Sequence, residues 1–262
     1  MARDRNPLPR RARVRAALTG GLAALALGSV GLAALPAASA ADKPLGHDVS
    51  SHQKNVDWAS AKGLGASFVY VKATESTTYH NPYFGQQYDG ARQAGLVRGA
   101  YHFALPDQAS GRAQAEFFVR HGGDWSDDGW TLPPAVDLER NPYGKDAKDA
   151  KGGSSAKCYG LSPAAMTSWI AEFSDEVRLL TGRRPVIYTT AGWWNDCTGH
   201  SRAFAATHAL WLARYADTPG ALPAGWSYWT FWQYQNGSGS LPGDQNLFNG
   251  TFGQLKRFAA GS

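Results

Sequence analysis

Two hydrophobic periods alternate along the chain. Short runs dense in β-branched and aromatic residues predict strands over Leu45 to Ser50, Ser67 to Ala73, Val97 to Phe103, Pro134 to Glu139, Arg184 to Thr190, His208 to Arg214 and Ser227 to Tyr234. Helical patterns lie between them. Asp57 to Lys62 ends at Gly63, and Asn81-Pro82 opens a helix that stops at Gly95. Ser110 to His121 has Gly122-Gly123 beyond it. Ser162-Pro163, an N-cap followed by proline at the first helical position, starts a helix to Leu180. Thr251 to Phe258 predicts a short final helix, and Asn141 to Gly160 is a polar loop. Strands separated by helices in this way indicate a parallel sheet.

The polar positions refine that picture. Asp48 ends the first strand, Glu75 follows the second, His102 lies near the end of the third, and Asp137 and Glu139 end the fourth. Periodicity alone does not separate an open doubly wound sheet from a closed barrel. Polar groups at the C-terminal ends of successive strands are the pattern of a β/α-barrel active site. No Gly-x-Gly-x-x-Gly follows the first strand, so a dinucleotide site has no support.

Within Val136-Asp137-Leu138-Glu139, a period of two puts both carboxylates on one face and Val136 and Leu138 on the other. Like charges held together cost energy, so a coupled pair usually has a use. Alone, Asp-x-Glu is a weak signal, since it is common on solvated strands.

Residues 1–40 read as a secretion signal peptide. Six arginines precede an uncharged Ala/Gly/Leu run from Ala16 to Leu35, and Ala38-Ser39-Ala40 supplies small residues for cleavage. A retained anchor is the competing reading, since the run is long enough to span a bilayer. The formal charge of the whole chain is +5, and the leader, with Asp4 as its one acid, accounts for all of it. Residues 41–262 are therefore balanced, which gives no reason to expect nucleic acid as a partner. They are expected to form a single catalytic domain without stable membrane association after cleavage, acting as a monomer. Cys158 and Cys197 are the only cysteines and are expected to pair in an oxidising compartment. No cluster of histidines or cysteines has metal-ligand spacing, so neither metal nor cofactor is implied.

Several segments together carry a family resemblance. Gly46-His47-Asp48-Val49-Ser50-Ser51-His52-Gln53, Phe68-Val69-Tyr70-Val71-Lys72-Ala73-Thr74-Glu75, Tyr101-His102-Phe103 and Val136-Asp137-Leu138-Glu139 resemble the first strands of glycoside hydrolase family 25 lysozymes, the Chalaropsis type. Pro185-Val186-Ile187-Tyr188-Thr189, Leu210 to Tyr215, Trp229 to Tyr234 and Gly243-Asp244-Gln245-Asn246-Leu247-Phe248 resemble the later ones. The Ala-rich leader and the two cysteines resemble the secreted actinobacterial members. Glu75 is followed by Ser76, where the family often has glycine. The resemblance implies an irregular, flattened, TIM-like β/α barrel with fewer helices than the eightfold form. It also implies a muramidase that cleaves the β-1,4 bond between N-acetylmuramic acid and N-acetylglucosamine in bacterial peptidoglycan.

The chemistry points the same way. Glycoside cleavage needs one protonated carboxyl for the leaving oxygen and anionic stabilisation of an oxocarbenium-like centre. Asp48, Asp137, Glu139 and Asp244 supply both, because crowding raises one group's affinity for a proton while neighbours stay ionised. Glu139, with the longer side chain, is assigned as general acid. Asp137 assists at the anomeric centre or through the substrate's own 2-acetamido group, and strand spacing does not decide between retention and inversion. Bland readings stand beside these: Asp48 as a cap for the Ser50-Ser51 turn, Asp244 in an ordinary Gly-Asp turn. Glu75, Tyr101, Tyr188 and Gln233 are candidate substrate contacts, with Glu75 alternatively pairing with Lys72 or Arg98. His102 is the histidine expected near the pocket, and Trp193-Trp194 is either a stacking platform or a hydrophobic plug. A chitinase, a non-catalytic glycan-binding module and a wall amidase are the competing classes. The first lacks its usual longer acidic run, the second is expected to have lost an acid, and the third lacks zinc ligands or a Cys-His pair.

Overall fold

A computed structural model describes residues 43–143 and 156–262. The leader of residues 1–40 and the loop lysines Lys145, Lys148 and Lys151 lie outside the described residues. Nine strands are described: β1 Leu45–Val49, β2 Ala66–Glu75, β3 Tyr79–His80, β4 Val97–Phe103, β5 Ala135–Asp137, β6 Val186–Thr189, β7 Leu210–Ala213, β8 Phe231–Gln235 and β9 Asp244–Phe248. Six α-helices accompany them among the described residues: α1 Trp58–Gly63, α2 Phe84–Gln93, α3 Gly111–Arg120, α4 Pro163–Thr181, α5 Ala191–Thr198 and α6 Phe252–Ala260.

Strands β1, β2, β4, β5, β6, β7 and β8 are parallel neighbours in that order. β9 runs antiparallel to both β8 and β1 and closes the sheet. The result is an irregular eight-stranded barrel, with β3 appended antiparallel to the end of β2. Chain closure removes the exposed edges that an open sheet would leave.

The two faces of the strands separate by parity. Phe68, Tyr70, Tyr101, Trp211, Phe231 and Phe248 pack together as the barrel interior. Val136, Leu138, Ile187, Leu212 and Trp232 face the other way, into a core shared with Phe118 of α3 and Trp169, Ile170 and Phe173 of α4. Val69 and Val71 join Trp58, Ala91 and Leu96 beneath α1 and α2. Burying each such side chain contributes about 1.5–3 kcal/mol, so the layers on both faces of the strands hold the barrel together.

Local signals set most boundaries. Ser162 accepts a hydrogen bond from the Ala165 amide at the start of α4, Pro163 follows, and Gly182 ends the helix in the left-handed region. Thr251 and Gln254 form a reciprocal capping box at α6. α2 starts at Phe84, later than Asn81-Pro82 suggests, because Asn81 is occupied. Its amide donates to Lys72 O and Gln87 Oε1, and its own oxygen accepts from Tyr83 N. β5 stops at Asp137, so Glu139 lies just beyond the strand rather than within it. The Trp193-Trp194 segment is helical, with Thr190 as N-cap, and both indoles are buried in the outer core. The plug reading therefore holds, and the stacking platform does not. Cys158 and Cys197 form the expected disulfide with their Cα atoms 5.3 Å apart, tying the turn at Ala156–Cys158 to α5.

Candidate active site

The carboxylates meet where the parallel strands end. Asp48 is the next-to-last residue of β1 and Asp137 the last of β5. Antiparallel β9 begins at the rim where the others finish, so its first residue, Asp244, stands in register with Asp48. Gly243 makes this approach possible. Its φ is +77°, and a Cβ there would run into the carbonyl oxygen of Asp48. Glu139 follows from the end of β5, and the four acids line one cleft of about 280 Å³.

Asp48 is buried and held by amides. Its Oδ2 accepts from Gln233 Nε2 at 2.8 Å and from Asn246 Nδ2 at 2.7 Å. Gln233 Oε1 in turn accepts from Tyr188 OH at 2.8 Å and Tyr215 OH at 3.0 Å. Asn246 Oδ1 accepts from Trp211 Nε1 at 2.7 Å. The turn at Ser51–Gln53 is capped by Ser50, so Asp48 is not its cap. Asp244 Oδ1 accepts from the Gly237 amide at 2.8 Å.

Electrostatics favours protons on three of these carboxyls, Asp48, Asp137 and Glu139. Burial, then the charge of Asp244, pushes Asp48 up to about 7, against the two amide donors, which pull it down. Burial and the neighbouring Glu139 hold Asp137 well above the ordinary carboxylate range. Burial raises Glu139, the nearby Lys72 charge opposes this, and Asp244 adds to it. Asp137 Oδ1 is buried with no hydrogen-bond partner. Such an atom is costly unless a ligand or proton answers it.

The remaining predicted residues divide. Tyr101, Tyr188 and Gln233 line the cleft. Glu75 stands behind it, with Oε2 2.5 Å from Lys72 Nζ and Oε1 accepting from Tyr143 OH at 2.5 Å. Lys72 itself lines the cleft, as do Trp211 and Tyr215. His102 is not at the pocket. It has the opposite parity to Tyr101, is fully buried, and bridges Thr74 and Gln114 while stacking on Phe173. The cleft histidine is His52. Lys72, Tyr215 and Asn246 were not singled out from the sequence. Parity would have found Lys72, since Phe68, Tyr70 and Lys72 alternate inward along β2. No group of three or more His, Cys, Asp or Glu residues among those described is arranged to hold a metal ion.

A closed β/α barrel whose rim gathers carboxylates of raised proton affinity has the groups that glycoside hydrolysis requires. The chain belongs to glycosyl hydrolases family 25, whose profile matches residues 47–244. It is 46% identical over 220 residues to an N,O-diacetylmuramidase of Chalaropsis sp, covering 82% of this chain and 99% of that protein. It is 43% identical over 219 residues to Lysozyme M1 of Streptomyces globisporus, covering 82% and 70% respectively. Among solved structures it is similar to the muramidase from Acremonium alcalophilum, with a TM-score of 0.78 and 48% identity over 84% of this chain and all of that one (100%). The relatives are fungal as well as actinobacterial, so the match reaches the family and not one secreted branch of it.

Proposed function

We propose that this chain is a 1,4-β-N-acetylmuramidase that hydrolyses the bond between N-acetylmuramic acid and N-acetylglucosamine in bacterial peptidoglycan. Family membership supports the reaction class. The observation that carries the assignment to residues is the convergence of Asp48, Asp137, Glu139 and Asp244 on one cleft. Glu139 is the general acid. Its raised proton affinity keeps a proton available for the leaving glycosidic oxygen, and water supplies the atoms of the hydrolysed bond. Asp137 assists at the reacting carbon, directly or by holding the 2-acetamido group, with its unpartnered Oδ1 available for that contact. Asp48 and Asp244 keep the pair's ionisation apart. Tyr101, Tyr188 and Gln233 contact the sugar from the walls of the cleft.

We also infer export of a monomer of the secreted actinobacterial type. The leader pattern of residues 1–40 and the Cys158–Cys197 bond suit an oxidising compartment, and one chain completes the cleft. No helix among the described residues is long and apolar enough to cross a membrane.

Mass spectrometry of digested peptidoglycan tests the reaction. New reducing-end N-acetylmuramic acid is expected, with no comparable release from chitin; equal release from chitin would turn the assignment towards a chitinase. Glu139→Gln is expected to lower kcat by about 10²-fold or more, the usual scale of a lost general acid. Near-normal turnover in that variant would remove Glu139 from the role.

A further inference from the structure

Lys72 stands in the catalytic cleft, and Glu75, Tyr79 and Tyr143, which are not among the residues lining it, gather around the ammonium from behind. Its ammonium meets Glu75 Oε2 at 2.5 Å and lies 4.6 Å from the Phe103 ring centre and 5.4 Å from that of Tyr79. The second oxygen of Glu75 accepts from Tyr143 OH at 2.5 Å. Tyr143 comes from the chain just past Glu139, and its ring is otherwise largely exposed. No hydrogen bond joins Lys72 to Asp137 or Glu139, although its charge acts on both.

We propose that Tyr143 and Glu75 form a strap that fixes where the Lys72 ammonium stands against Asp137 and Glu139, making both of them positioning residues for the hydrolysis. This rests on the muramidase reading above. The geometry explains why Glu75, a carboxylate near a sugar cleft, is already occupied on both oxygens. The strap holds the cation back from a direct ion pair with Asp137, whose Oδ1 is otherwise unanswered. A direct pair would stabilise the ionised form of the cluster and remove the proton that cleavage needs. The phenol remains the donor in this arrangement, since its bond to Glu75 pushes Tyr143 up to about 12.

Every group facing the ammonium enters the consequence. Glu75 comes from β2, Tyr79 from β3, Phe103 from β4, Asp137 and Glu139 from β5 and its continuation, and Tyr143 from the following loop. Buried His102 also feels the charge but stays neutral, held down to about 3 chiefly by its burial. Removing the Glu75 charge acts in one direction twice. It deletes a negative neighbour of Asp137, and it frees Lys72 to approach the pair. Both lower the proton affinity of the acids.

The test is the pH profile of kcat and KM on solubilised peptidoglycan for wild type, Glu75→Gln and Tyr143→Phe, with circular dichroism and urea unfolding as fold controls. Glu75→Gln is expected to lower kcat about tenfold with little change in KM, and to move the alkaline limb down by about 1 pH unit. Tyr143→Phe keeps the charge and is expected to move the limb in the same direction by less. Folded variants whose alkaline limbs both coincide with wild type overturn the strap. If Glu75→Gln does not fold, Tyr143→Phe, altered at an exposed ring, decides alone. A wild-type chain that releases no muropeptides would instead sink the muramidase reading, so the two failures are distinguishable.

Discussion

Asp48 is held between two demands. Its carboxylate accepts two amide hydrogen bonds, yet it sits in a buried site beside Asp244, and the second influence is stronger. A carboxyl raised from 3.8 to about 7 favours the fold when protonated and loses that contribution as pH rises through the interval. Above 7 the ionised group is a burden on the fold. Asp48→Asn keeps an oxygen for both amide donors and removes the charge. It is expected to be more stable than wild type at pH 8 by about 2 kcal/mol or more, with the difference vanishing near pH 4. Urea unfolding at the two pH values measures this. A variant less stable than wild type at pH 8 would show that the ionised carboxylate is no burden there. Activity is expected to fall in the same variant, because Asp48 is one of the four carboxyls proposed to act in the cleft.

β9 shows what one reversed element does for a site. Parallel strands bring only their last residues to the active rim, while an antiparallel strand brings its first. Asp244 gains its place this way, and Gly243 lets it lie against β1. Gly243→Ala is expected to cost about 2 kcal/mol or more, through strain at positive φ and the clash with the Asp48 carbonyl, and to lower kcat as Asp244 shifts. Near wild-type unfolding and turnover would argue that the rim relaxes freely. The same strand marks where reading from sequence runs out. β4 matches its predicted span of Val97–Phe103 because both of its faces are buried and its run is continuous. β9 was predicted only as a motif. Its inward residues Asp244 and Asn246 are polar because they serve Asp48, so the alternation that betrays a strand is missing. α5 was hidden for another reason. Thr190 and Gly199 cap it at either end, but with only eight residues between them the packing of Trp193 and Trp194 in the outer core decides the helix. The acid pair was legible because Val136 and Leu138, both buried in the outer core, alternate with Asp137 and Glu139, although the strand itself ends at Asp137. Lys72 was legible only by parity with Phe68 and Tyr70, and its spacing of three from Glu75 reads as a surface pair when parity is not followed.

Among the described residues, two buried sets of titrating groups oppose each other between the carboxylate and histidine ranges. His47 is held down to about 4, His102 to about 3 and His208 to about 4, each chiefly by burial. Their contribution is complete above the ordinary histidine value of 6.5 and is lost as pH falls towards those lowered values. Asp48, Asp137 and Glu139 are raised, so their contribution grows as pH falls through the same range. Between pH 4 and 6.5 the unfolded chain binds extra protons at the histidines, and the folded chain binds extra protons at the acids. The two slopes oppose, so wild-type stability is expected to fall less with acid across that window than the histidines alone would make it. Neutralising the acids with Asp48→Asn, Asp137→Asn and Glu139→Gln together leaves the histidines uncompensated. Stability should then fall steeply with acid, by about 1.4 kcal/mol per pH unit for each unbalanced proton. Urea unfolding of wild type and the triple variant at pH 4.5, 5.5 and 6.5 compares the slopes. Parallel slopes would mean that the cleft carboxyls are ionised in the resting fold, and the proton assigned to Glu139 in the proposed reaction would have to come from elsewhere.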